Sequence, residues 1–328
     1  MSKNSEVEKI VEKMVVRRIR GKDFDQLFRL IAEGFKKENA ITGFDARRLQ
    51  KGARLYRRFS PLFPILNVFR VHFPNILVAV SDGILIGAIN LVPHRKHVWS
   101  IDSVTVSAAF RGHGVYKRLM TEALNFVSQK GGKRVVQSVW TDNVAPVKVS
   151  KQLEFTVFEE DIMLATQFSK APLVDVNKDA HVREFRSTDK EQVYEIFKSV
   201  TPDRLEVYDN VHEDLDISFL GHIADKLAGS HSKRWVIEAQ GKTAGYASVK
   251  YTSSNEAGKI EHFFVTPSND STKLEDALIN TIVAFLATRN IGKAIISLDK
   301  QRKQTIETFR QADFRPFASS YEMMKTII

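Results

Sequence analysis

Apolar residues recur in this chain at two spacings, every second residue and every third or fourth, and the two alternate in a fixed order. From Val16 to Ile31 (VRRIRGKDFDQLFRLI), a short extended pattern passes into an amphipathic helical one that starts near Asp23. From Val182 to Phe197 (VREFRSTDKEQVYEIF) the same thing happens, and the two stretches align without a gap. Val16/Val182, Arg17/Arg183, Arg20/Arg186, Asp23/Asp189 and Gln26/Gln192 are identical. Farther on, Val80 to Gly87 and Glu238 to Gly245 each read as strand, glycine turn and strand, hence a hairpin. A strand ending at Val106 or Val265 follows, then a helix, a strand (Val135 to Trp140; Ala294 to Leu298), a polar helix, and an extended segment opened by Phe155 or Phe314. Preserved order and spacing indicate a duplicated unit. The pattern predicts an α/β (α+β) chain of two tandem domains, residues 1–168 and 180–328. The polar, Pro172-containing stretch 169–179 joins them.

The composition fits that reading. With 328 residues, 43% of them hydrophobic, the chain is long enough for two cores. Cysteine is absent, which excludes disulfides, thiolate metal sites and a Cys nucleophile. The longest stretches without a charged residue, Gly83 to His94 and Ala277 to Thr288, hold 12 residues each. A span needs roughly 18, so no integral membrane segment is expected. The opening residues carry Glu6, Glu8 and Glu12 and no apolar run, so no secretory or transit signal is expected and the cytoplasm is the expected location. Net charge is +10, divided as +12 over residues 1–170 and −2 over 171–328. A basic first half suits an anionic ligand, and charge alone does not choose among nucleic acid, membrane surface and phosphate-bearing cofactor.

Candidate chemistry lies where Ile101 to Val106, β-branched and mostly apolar, runs into Ser107-Ala-Ala-Phe-Arg-Gly-His-Gly-Val-Tyr. Helical spacing starts at Val115 and continues through Leu119, Ala123, Leu124 and Val127, so a glycine-rich turn opens a helix. Gly112 and Gly114 allow close backbone approach, and the first N–H groups of the helix lack intrahelical acceptors, which favours an anion such as pyrophosphate. Arg111, Lys117 and Arg118 add positive charge. The loop lacks the third glycine of a dinucleotide fingerprint and the G-K-[ST] ending of a P-loop.

Strand, Arg-Gly-x-Gly, helix, strand, then Asn143 and Phe155 resembles the GNAT superfamily of acyl-CoA-dependent N-acyltransferases, whose acyl-CoA loop is written R/Q-x-x-G-x-G/A. The resemblance spans about residues 15–166. It implies two tandem GNAT-like domains, each a mixed, mostly antiparallel twisted sheet flanked by helices. It also implies acetyl transfer from acetyl-CoA to a primary amine by direct attack, in the first domain. The main-chain N–H groups of Arg111, Gly112, His113, Gly114, Val115 and Tyr116 would hold the CoA pyrophosphate. The backbone of Val104 and Val106 would bond the pantetheine arm, and Asn143 would lie beside it. The final Gly/Ala of the loop is Tyr116, the Tyr usual seven residues after the Asn is Ser150, and the usual G-F pair is Glu154-Phe155.

Such a transfer needs a deprotonated amine, a polarised carbonyl and a protonated leaving thiolate, and no metal. The backbone at Val106 would polarise the carbonyl. Asp102, the one carboxylate on its strand, is the candidate base, directly or through water, and equally a local capping or pairing carboxylate. Ser150 and His97 are further candidates, whereas His113 reads as a loop spacer. In the second copy the loop becomes Ser268-Asn-Asp-Ser-Thr-Lys273, without glycine and with Asp270 in place of Arg111, which implies a degenerate copy kept for folding or for closing the substrate cleft. Glu206, Asp209, Glu213, Asp214 and Asp216 form an acidic run. The basic amphipathic stretch Phe44 to Phe73 reads as a second helix and substrate wall. Two other classes stay open, a non-catalytic tandem ligand or interaction module and a basic nucleic-acid- or membrane-associated adaptor.

Overall fold

The computed structural model describes residues 3–34, 75–168, 180–201, 211, 215, 230–252, 257–268 and 270–327. The stretch Phe44 to Phe73, the joining segment 169–179 and the acidic residues Glu206, Asp209, Glu213, Asp214 and Asp216 lie outside the described residues. Packing divides the chain into two compact units, Met1–Phe158 with Glu322–Ile328, and Glu159–Tyr321.

In the first unit α1 (Lys3–Glu12) precedes β1 (Val15–Arg18), and a 3₁₀ turn at Gly21–Asp23 leads into α2 (Phe24–Gly34). Strands β2 (Asn75–Ser81), β3 (Ile84–Pro93) and β4 (Val98–Val106) follow, all antiparallel from β1 onward. Helix α3 (Val115–Gln129) carries the chain over to β5 (Arg134–Trp140), which runs parallel to β4, and α4 (Val144–Gln152) follows β5. The period-two alternation divides the sheet between its helices. Val78 and Ala88 meet Phe24, Leu27 and Leu30 of α2. On the opposite face Gly87 lies so close to α3 that a Cβ there would sit 2.9 Å from a Leu119 methyl carbon. The chain's last residues complete this unit, with the Ile327 N–H donating to the Lys133 carbonyl at 2.8 Å and Lys325 paired to Glu154 at 2.7 Å.

The second unit repeats the plan. Strands β6 (Thr156–Gln167), β7 (Ala180–Glu184), β8 (Ser230–Ala239), β9 (Lys242–Thr252), β10 (Gly258–Val265) and β11 (Lys293–Asp299) stand in the order β6-β11-β10-β9-β8-β7. The β10–β11 pairing is parallel, and β6–β11, β9–β10, β8–β9 and β7–β8 are antiparallel. Helix α5 (Lys190–Val200) covers Val236, Tyr246 and Phe264, and α6 (Ser271–Thr288) covers Ile237, Ala247, Phe263 and Val265. Helix α7 (Lys303–Gln311) precedes the final strand, β12 (Arg315–Thr326). Gly245 repeats the role of Gly87, each standing opposite the last residue of the neighbouring strand, Val265 or Val106.

Each unit is thus a mixed, mostly antiparallel twisted sheet flanked by helices, as the family resemblance implies. The division differs from 1–168 and 180–328 in the terminal strands. Residues 159–167 of β6 pack in the second unit, and 322–328 in the first. The alternation that makes a segment a strand does not say which sheet edge it joins.

Candidate functional site

Strand β4 pairs with β5 only from Val98/Arg134 to Ile101/Gln137, although both strands continue. Beyond that point they part. A β-bulge marks the place, because Asn90 faces Ser103 while Leu91 faces Ile101, which leaves Asp102 as the extra residue. Bonded pairs alternate along an antiparallel ladder, and the Ser107 N–H donates to the Ile86 carbonyl at 2.9 Å. Thr105 and Ser103 therefore bond back to β3, and the N–H and C=O groups of Val104 and Val106 turn to the free edge.

The free edge leads into a 3₁₀ turn at Ala108–Phe110 and then the glycine loop. Gly112 and Gly114 both have φ of +82°, in the left-handed region that favours glycine, and a Cβ on either would meet nothing within 4 Å. Open space therefore lies against the loop. Gly114 is the N-cap of α3, no side chain caps it, and the Arg118 N–H to the Gly114 carbonyl is the first helical bond. The N–H groups of Val115, Tyr116 and Lys117 precede that bond and point out of the helix end. Arg111 Nε donates to the Val106 carbonyl at 3.2 Å and ties the loop to the end of β4. His113 is half-buried beside it.

The other candidates fall at distinct places. Asp102 is exposed, and its Oδ2 accepts from Asn90 Nδ2 at 3.1 Å, while Asn90 Oδ1 is buried without a hydrogen-bond partner. Asn143 is the exposed N-cap residue of α4 and makes no side-chain cap. Ser150 is fully buried and accepts from Gln137 Nε2 at 2.8 Å. His97 precedes β4, at the end away from the loop, about 30 Å along an extended strand from Val106. Tyr116 turns its phenol inward to hydrogen-bond Ser150; burial pushes the phenol above its ordinary value of 10.0, and the Ser150 contact opposes that rise. Gln137 and the inward Tyr116 ring escape a reading of the sequence. A lone amide among the apolar residues of Arg134–Trp140 is the one available signal.

The second unit shows the same skeleton with other side chains. The β10–β11 pairing stops at Ile260/Ile296, and Glu261 occupies the bulge. At the start of α6, Asp270 pairs with Lys273 at 2.9 Å. The counterpart of Tyr116 is Glu275, buried, with its two carboxylate oxygens accepting from Thr305 and Thr308 at 2.6 and 2.7 Å. The counterpart of Asn143 is Arg302, whose Nη1 donates at 2.8 Å to the Phe263 carbonyl, the counterpart of Val104. That arginine lies across the edge at the position of Val104, whereas in the first unit the neighbouring Val106 carbonyl accepts from Arg111.

Among the described residues there is no group of three or more metal-binding side chains, and no helix is long and apolar enough to cross a membrane. The sequence model of the Acetyltransferase (GNAT) family matches residues 42–155. No curated protein sequence matches the chain. Among solved structures, a GCN5-related N-acetyltransferase from Sphaerobacter thermophilus aligns over 96% of each chain at 14% identity, with a TM-score of 0.66. A tandem GNAT protein of the clavulanic acid biosynthesis pathway aligns over 96% of this chain and 99% of its own, at 13% identity and a TM-score of 0.68. A GCN5-related N-acetyltransferase from Anabaena variabilis aligns over 96% of this chain and 73% of its own, at 11% identity and a TM-score of 0.53. The chain therefore carries a GNAT-superfamily acetyltransferase-like fold.

Proposed function

We propose that the first unit transfers an acetyl group from acetyl-CoA to a primary amine by direct attack, and that the second unit is a copy without this chemistry. The observation that carries the reading is the continuous path from the free edge of β4, at Val104 and Val106, to the uncapped N-terminus of α3 beside two left-handed glycines. Such a helix end attracts a pyrophosphate, and a free strand edge accepts an extended amide chain as it would another strand. Bound there, acetyl-CoA supplies a thioester carbonyl and a thiolate leaving group.

The chain's own groups have separate roles. The N–H groups of Arg111 to Tyr116 hold the diphosphate, and Arg111, Lys117 and Arg118 add positive charge. Val104 and Val106 align the pantetheine arm, Asn143 borders it, and a Val106 main-chain N–H polarises the carbonyl. Asp102, held by Asn90, takes the amine proton directly or through water. No covalent intermediate on the protein is needed, in keeping with the lack of cysteine. In the second unit the loop glycines are gone, Asp270 opposes an anion and Arg302 occupies the strand edge.

The test incubates the full chain with acetyl-CoA and a panel of aminoglycosides, polyamines, amino acids and peptides, with thiol release as readout. Release that depends on one amine class is expected, with kcat lowered about 10² to 10⁴-fold by Asp102→Asn. CoA binding without release for any amine would favour a ligand-binding module. Binding to polyanions that weakens steeply with salt, without CoA binding, would favour the adaptor.

A further inference from the structure

Helix α1 is largely polar, and the apolar face it offers is the short half-buried stripe Val7, Ile10 and Val11, continued by Met14. A helix of ten residues with so little to bury needs specific contacts to keep its place. It is fastened at its C-terminal end. Ser81, the buried last residue of β2, donates through its Oγ at 2.6 Å to the Ile10 carbonyl, one of the end carbonyls that no N–H of the helix itself reaches. Lys13 and Asp82, exposed and 3.9 Å apart, add little. Ser81 pairs with Ile84, and the Ser107 N–H donates to the Ile86 carbonyl, so the anchor stands at the end of the sheet where β4 runs out. There α1 lies against the Ala108–Phe110 turn, and the residues that follow the turn are Arg111, Gly112, His113 and Gly114.

We propose that α1, docked through Ser81, braces the turn that leads into the glycine loop and so holds the loop ready for a diphosphate, which makes Ser81 a positioning residue for the cofactor. The inference rests on the acetyl-transfer reading. The loop needs a brace because its glycines lack steric direction. A Cβ on Gly112 or Gly114 would meet nothing within 4 Å, and glycine gives up more conformational freedom than any other residue when it is fixed. Freedom removed before the ligand arrives no longer opposes binding, and a turn packed against a docked helix is ordered in advance. The duplication supports the link. In the second unit Ala239 stands at the position of Ser81 and Gln240 at that of Asp82, and Ala239 packs against the apolar cluster of its unit. The hydroxyl anchor and the two loop glycines therefore occur together in one unit and are missing together from the other.

The test compares the full-length protein with Ser81→Ala and with a deletion of residues 1–13. CoA affinity is measured by calorimetry at a temperature where melting curves show each protein folded. With an amine accepted by the unsubstituted protein, kcat/KM is measured for acetyl-CoA and for S-acetylpantetheine, which carries the same thioester without the diphosphate. Ser81→Ala is expected to weaken CoA binding about three- to tenfold, as the loss of one hydrogen bond in the brace, and the deletion to weaken it further. For acetyl-CoA kcat/KM should fall in parallel through KM, while for S-acetylpantetheine it should stay within about twofold. Unchanged CoA affinity in the folded Ser81→Ala protein, with only its melting temperature lowered, would give α1 a purely structural role and overturn the inference. Equal losses for the two acyl donors would also overturn it, because such a loss does not pass through the diphosphate loop. Either result leaves the acetyl-transfer reading intact. Absence of CoA binding to the unsubstituted protein overturns both.

Discussion

One pair of side chains is built identically in each half. Arg17 clasps Asp23 through two hydrogen bonds of 2.7 and 3.0 Å, and Arg183 clasps Asp189 through two of 2.8 and 2.9 Å. Each aspartate also accepts a main-chain N–H three residues back, from Arg20 or Arg186, at 2.7 Å. The carboxylate thereby fixes the turn between the first strand and first helix of its unit, which explains why these residues are among those the two halves share. The arginine, above all through its hydrogen bonds, holds each aspartate below the ordinary carboxylate value of 3.8. A depressed folded value means that the contribution to stability is fully present above 3.8 and is lost as pH falls through the folded value. Asp23→Asn and Asp189→Asn should each cost about 1–3 kcal/mol at neutral pH. Their penalty should shrink as pH falls below 3.8 and through the lowered native values, where the carboxylates become protonated. Thermal melts across pH check this. A penalty that does not change with pH would mean that the aspartates act by shape alone.

At the scale of elements, the strand that covers β5 in the first unit comes from the far end of the sequence. The unit takes Glu322–Ile328, with Lys133, Glu154 and Thr156 bonding to Ile327, Lys325 and Met324. An uncovered β5 would present unpaired backbone groups and invite aggregation. Deletion of residues 322–328 should therefore lower the melting temperature and promote aggregation, and a fragment of residues 1–168 should be poorly soluble and bind CoA weakly or not at all. Scanning calorimetry and light scattering check both, and a soluble fragment that binds CoA like the full chain would contradict the expectation. Sequence pattern is a good guide to elements whose register is set by a buried face. Strands ending at Val106 and Val265 and the helix opening at Val115 stand where alternation and helical spacing place them. It is silent on α1, whose Lys3–Glu12 sequence is largely polar, and on the allegiance of the last strands, since an alternating segment fits either sheet edge. Within the site, the glycines are legible because their backbone demand is local. The Tyr116–Ser150–Gln137 chain is not, because it joins a helix start, a second helix and a strand that only tertiary structure brings together.

For the whole molecule the duplication poses a question of stoichiometry, since two units with one skeleton could offer two ligand sites. Both units part their parallel strands after a bulge that carries a carboxylate, Asp102 or Glu261. What differs is everything that an anionic, extended ligand would meet. Residues 1–170 hold a net charge of +12 and residues 171–328 hold −2, so long-range attraction favours the first unit. Two left-handed glycines border open space there, whereas Asp270, paired to Lys273, stands at the helix start in the second. The free edge at Val104 has its counterpart at Phe263, whose carbonyl already accepts from Arg302. An arginine bonded in a cleft must give up that hydrogen bond before a ligand amide can replace it, and the charge-assisted bond is worth about 1.5–3 kcal/mol. Titration calorimetry with acetyl-CoA should therefore give one molecule bound per chain, with an affinity that falls as salt is raised. Gly112→Asp with Gly114→Asp should abolish that binding, because each substitution puts a negative side chain into the open space and forces a non-glycine residue to φ near +82°. Two equivalents bound, or one equivalent that survives both substitutions, would place a working site in the second unit and refute the division of labour.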